Sequence, residues 1–179
     1  MPRGPRRLSD SGYYHVVVKG DGGQIIFESD ADRRYYLRLL EKCIDESLVD
    51  VHAYCLMSNH VHLVLEDHNR MLSSFVKHLS ERYAMYFSKK TGRVGHVFQG
   101  RFWSEPIESD EYFLSAVRYV HKNPEVAGIC AAREYQWSSF AAHMGQKSFV
   151  CRRLVNSLIG GPDRFAAFIE GEADRKSVV

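Results

Sequence analysis

Two histidines one residue apart, His60 and His62, lie in an apolar run at residues 54–66, Y-C-L-M-S-N-H-V-H-L-V-L-E. Side chains alternate along a strand, so both imidazoles would point to one face while Val61, Leu63 and Leu65 point to the other. Imidazoles so placed can share a divalent metal ion. On its own the triplet also fits ordinary, hydrogen-bonded strand histidines. A second pair lies downstream, where Tyr119 and Asn123 stand four residues apart and would stack one above the other on a helix. A helical tyrosine is ordinarily a packing residue. Beside a metal-polarised phosphate its oxygen becomes a nucleophile if the site helps to remove its proton. Two imidazoles and an amide oxygen form a mixed set suited to Mg2+ or Mn2+, whereas a closed zinc site wants a fuller set of strong ligands.

These residues need elements to hold them. Residues 12–19, G-Y-Y-H-V-V-V-K, read as a first strand carrying His15, followed by a G-D-G-G turn. Asp30 is a capping residue for a helix in which Tyr36, Leu37, Leu40, Ile44 and Leu48 recur at helical spacing. Residues 51–57 and 60–66 form a second and a third strand, joined by Ser58-Asn59 as a tight turn without glycine. Residues 71–90 predict a long helix with Phe75, Val76, Leu79, Tyr83 and Phe87 near one face. Ser109 caps a helix bearing Tyr119, which Pro124 should end. Residues 137–144 and 152–159 offer short helices, then Gly160-Gly161-Pro162 a break, then a last helix at 163–169 and a charged, frayed tail.

With 179 residues, 45% of them hydrophobic, the chain can bury one sizeable core. No apolar stretch approaches the roughly 20 residues of a membrane span, and the start lacks a secretion signal, so a cytoplasmic location without membrane partners is expected. The four cysteines include no C-x-x-C and are expected to be reduced. The net charge of +2 hides a segregation: residues 21–50 hold eight acidic against four basic residues, and residues 69–104 hold seven basic against one acidic. The basic stretch is a candidate polyanion surface, or else a solvated helix face. Its glycine-rich part, residues 91–101, combines arginines with His96 and Phe98, which suits phosphates and unstacked bases or equally a connection pinning Phe98 and Phe102 into the core.

Taken together, Y-C-L-M-S-N-H-V-H-L-V-L-E, G-H-V-F-Q-G-R-F, R-Y-V-H-K-N-P-E-V-A-G and W-S-S-F, with the opening Y-H-V, resemble the HUH-type single-tyrosine transposases, and most closely the REP-associated branch. The resemblance runs over residues 2–144. It implies an α+β fold, a ferredoxin-like antiparallel sheet with helices packed on one face, followed by a small helical C-terminal segment. The catalytic domain would be residues 1–145 and the extension residues 146–179. It also implies a metal-dependent endonuclease and strand transferase acting on single-stranded or hairpin DNA. His60 and His62 are then the metal pair, Tyr119 the nucleophile that becomes joined to a 5′ phosphate, and Mg2+ or Mn2+ the cofactor. Asn123 falls where relatives carry a polar ligand, often glutamine, and its shorter arm could bind metal, act through water or orient Tyr119. Arg82, Lys89, Lys90, Arg93 and Arg101 would approach the DNA, with His96 and Phe98 as base contacts. Relatives include helix-exchanging dimers and monomers, which leaves monomer or homodimer open. Other readings are a domesticated hairpin-binding protein and another H-x-H phosphoryl-transfer enzyme; the second has no use for Tyr119.

Overall fold

The computed structural model describes residues 5–171. Residues 2–4 of the family resemblance, and the expected tail from residue 172 on, lie outside the described residues. Four strands form one antiparallel sheet: β1 (Tyr13–Lys19), β2 (Val49–Leu56), β3 (His60–Asp67) and β4 (Trp103–Ile107), in the order β2-β3-β1-β4. The run Val16-Val17-Val18 in β1 is buried on both faces of the sheet, the pattern of a strand covered on both sides. Helix α1 (Asp30–Asp45) and helix α2 (Leu72–Thr91) cover one face. There Val16, Val18, Val61, Leu63 and Leu65 meet Tyr36 and Leu40 of α1 and Phe75, Leu79 and Tyr83 of α2.

Helix α3 (Asp110–Val126) covers the opposite face. Its Phe113, Ala116, Val117 and Val120 pack on Ala53 and Cys55 of β2 and Val64 of β3. Burying Phe113, Val117 and Val120 contributes about 1.5–3 kcal/mol each. The α+β antiparallel architecture is as expected, but the helices lie on both faces. The apolar parity of β3 serves the α1/α2 side, and α3 takes the side that bears the histidines. Short helices α4 (Phe140–His143), α5 (Arg153–Ile159) and α6 (Pro162–Glu170) back α3, with Val155, Phe165 and Ile169 buried in the same cluster.

Local starts and stops differ in detail from expectation. The cap of α1 is Ser29, not Asp30: the Asp32 carboxylate accepts from the Ser29 and Glu28 amides at 3.0 and 2.9 Å and completes a capping box. Pro124 sits in the last turn of α3 rather than ending it. The Ser58-Asn59 turn has no residue at positive φ. Its carbonyls are instead engaged from outside, Ser58 by the Ile26 and Phe27 amides (2.9 and 3.1 Å) and Asn59 by the Gly20 amide (2.8 Å). Tertiary bonds replace turn chemistry here. The four cysteines are free thiols. Among the described residues no helix is long and apolar enough to cross a membrane.

Candidate active site and substrate groove

Strand parity places His60 and His62 of β3 on the same face as His15, Val17 and Lys19 of β1 and Trp103 of β4. His62 stands opposite Val17 in the ladder, and His60 opposite Lys19. Since α3 docks chiefly on β2 and β3, the β1/β4 half of this face stays open as a groove of about 1390 Å3. Its floor carries the three histidines, and one wall is α3 with Tyr112, Ser115 and Tyr119.

Tyr119 is 56% exposed, yet its ring is seated edge-on against two imidazoles, with centroids 5.5 Å from His62 and 5.6 Å from His15. One turn later, Asn123 donates through Nδ2 to the Tyr119 carbonyl at 3.2 Å. The Asn123 side chain also acts on His60 and His62, partly opposing the effect of burial on their pKa values. So the structure brings His60, His62, Tyr119 and Asn123 together within one chain, a meeting that the spacing within each pair left open.

Burial decides the protonation of the histidines. His62, 4% exposed, is pushed down to about 3 by burial, reinforced by the neighbouring His15, His60 and Lys19. Burial lowers His15 to about 4 and also lowers His60. At neutral pH these rings are uncharged, and a neutral imidazole keeps a lone pair for a metal. Uncharged ring nitrogens beside the Asn123 amide form a donor set that fits a divalent metal ion.

The basic residues singled out in the sequence divide. Arg101 lines the groove. Arg82 and Lys90 belong to the far side of the sheet, where Arg82 pairs with Glu46 of the α1 C-cap at 2.7 Å and Lys90 with Asp32 at 2.8 Å. Two basic residues of the later stretch are thus paired with acidic residues of the earlier one across the α1–α2 contact. Lys89 and Arg93 are exposed at the end of α2 and just beyond it. His96 borders a second, smaller cleft beside α2. Phe98 turns inward, with its ring 6.0 Å from Tyr83, which is the pinning role rather than an open base contact. Sequence reasoning passed over Arg6, Arg7, Lys19 and Trp103, all of which line the groove. For Lys19 the signal was present, since it has the parity of His15 on β1. Arg6 lies over the Phe102 ring at 3.6 Å.

Asp50, Glu66 and His68 also converge, at the far end of the β2–β3 ladder. Glu66 there accepts from His52 (2.9 Å) and Arg153 (3.0 Å). Its partners are therefore His52, Arg153 and His68, although its strand parity matches that of His62.

Residues 9–123 match the family model described as Transposase IS200 like. Among solved structures, the chain is similar to one described as a REP-associated tyrosine transposase bound to a REP hairpin, with a TM-score of 0.70 and 16% identity, over 82% of this chain and 87% of that one. A Deinococcus radiodurans protein described as a candidate transposase aligns over 72% of this chain and 98% of its own at 14% identity, but its TM-score of 0.44 is too low to build on. No curated protein matches the sequence.

Proposed function

This chain belongs to the IS200-like transposase family, and we propose that it cuts and rejoins single-stranded DNA through Tyr119 at a divalent ion held by His60, His62 and Asn123. The observation that carries this reading is the seat of Tyr119 against His62, with Asn123 one turn on, inside a single chain. That completeness supports action as a monomer.

The Tyr119 phenol oxygen attacks the scissile phosphorus. An Oη–P bond forms, the P–O3′ bond breaks, the phenol proton passes to water, and the released strand takes up a proton as a 3′ hydroxyl. The chain is left joined to the 5′ phosphate. Because one phosphoester replaces another, a later 3′ hydroxyl reverses the step without ATP. When bound, Mg2+ or Mn2+ would neutralise charge on a phosphate oxygen. The protein orients Tyr119 by the edges of two rings. It offers Lys19, Arg6, Arg7 and Arg101 to flanking phosphates and the exposed face of Trp103 to an unstacked base. The fold shared with a hairpin-bound transposase supports a substrate in which the single strand adjoins a palindromic hairpin. In this reading residues 1–145 form the catalytic unit, and the helices after it brace α3.

The test is incubation with single-stranded DNA carrying the gene's flanking palindromes and Mn2+ or Mg2+, followed by denaturing electrophoresis. A covalent adduct is expected from the native chain and none from Tyr119→Phe. An adduct that persists in Tyr119→Phe would place the nucleophile elsewhere, and hairpin binding with no adduct at all would leave a binding protein.

A further inference from the structure

His60 and His62 each present Nδ1 to a neighbour. For His60 the neighbour is Asn59, whose Oδ1 lies 2.7 Å from Nδ1. The amide of Asn59 is oriented independently, because its Nδ2 donates to the Gly23 carbonyl at 3.2 Å. An amide oxygen only accepts, so His60 carries its proton on Nδ1 and its lone pair on Nε2. For His62 the neighbour is His15 on β1, whose Nε2 lies 3.1 Å from Nδ1 of His62. The two rings are nearly parallel, 25° apart with centroids at 5.4 Å.

A bond between two neutral imidazoles can run either way. If His15 donates, His62 holds its proton on Nε2 and has no lone pair to offer there. If His62 donates, its Nε2 is free, matching His60. Both rings are almost fully buried, His15 at 7% exposed and His62 at 4%. His15 is further held by edge contacts with Trp103 at 5.3 Å and Tyr119 at 5.6 Å. A ring fixed on two sides cannot turn to offer a different atom without disturbing the tyrosine.

We propose that His15 is a positioning residue: it accepts the Nδ1 proton of His62 and so commits Nε2 of His62 to the metal, as Asn59 does for His60. This rests on the metal assignment made above. It gives the buried histidine of β1 a role distinct from packing, since a phenylalanine would fill the same space without accepting a proton. Hydrogen-bond partners of metal-bound imidazoles generally set ring tautomer and ligand basicity.

The test uses the full chain and the variants His15→Phe, which keeps a ring but has no acceptor, and His15→Gln, whose amide oxygen can take the place of Nε2. Long-range 1H–15N NMR on the metal-free native chain should show His62 with its proton on Nδ1. Calorimetric titration with Mn2+ should show an affinity loss of about tenfold or more in His15→Phe, recovered to within a few-fold in His15→Gln. A proton on Nε2 of His62, or native Mn2+ affinity in a folded His15→Phe, would overturn the proposal. The tautomer is read without metal, so it decides the role of His15 even if His15→Phe fails to fold. If the native chain and His60→Ala both failed to bind Mn2+, the metal assignment would fall, while the spectrum still reported the His15–His62 bond.

Discussion

If the groove rather than α2 carries the DNA, salt dependence will follow Lys19, Arg6, Arg7 and Arg101, which line it. Each phosphate neutralised on a single strand releases counterions and adds about −0.7 to the slope of log affinity against log salt, so four contacts give about −2.8. Raising salt from 50 to 200 mM would then weaken binding about 50-fold. Replacing Lys19 and Arg101 together by glutamine halves the slope to about −1.4 and the loss over the same range to about sevenfold. Arg82→Gln with Lys89→Gln is the control on α2, where Arg82 is already paired with Glu46 and Lys89 is exposed; here the slope should not change. Fluorescence anisotropy of a labelled oligonucleotide, measured in the Tyr119→Phe background so that no strand is cut, reads each slope directly. A slope that falls with the α2 pair and ignores the groove pair would refute this path for the strand.

Other expectations concern the molecule behind the site. His121 and His143 are buried neutral against Phe165, with burial the main cause of folded values of about 3 and about 4. The unfolded chain therefore protonates first: their contribution is intact above about pH 6.5 and is lost as pH falls toward the folded values, costing roughly 2 kcal/mol per ring at pH 5. Thermal melts by circular dichroism should show this decline, and a melting temperature constant from pH 7.5 to 5 would contradict it. Glu66→Ala strips His52 of its Nε2 partner when Nδ1 already has none, so denaturant unfolding should show a loss of about 1–3 kcal/mol. Mn2+ affinity should stay native in that variant, because the cluster around Glu66 is not the proposed metal site. Asp32→Ala removes the carboxylate that serves two backbone amides, Tyr86 and Lys90, and should cost at least about 1 kcal/mol in the same assay.

The chemistry was legible where it depends on short-range periodicity. Alternation put His60 and His62 on one face, and helical spacing stacked Tyr119 on Asn123, because both periods are properties of the backbone itself. What escaped depends on which elements become neighbours. Asp32 and Lys90 are far apart in the chain, so their ion pair was invisible and the basic stretch looked like a free surface. His15 was noted in β1, but its bond to His62 requires β1 and β3 to be adjacent at the observed register. The cap of α1 was misplaced by one residue because Asp30 and Ser29 are both good caps, and the reach-back of Asp32 decides between them. The double-sided sheet could have been suspected from Val16-Val17-Val18, a run too continuous for a strand with one wet face.

The order of elements along the chain also bears on how the proposed site is assembled. The sheet that presents His60 and His62 is complete once β4 ends at Ile107, whereas the nucleophile arrives on the next element, α3, and reaches the histidines only when Phe113, Val117 and Val120 dock on the finished sheet. Without α3 docked, the sheet would still present the histidine pair but no positioned tyrosine. The proposed site therefore depends on the packing of α3, and substitutions that loosen Phe113, Val117 or Val120 should part Tyr119 from the histidines while leaving the histidine pair on its strand.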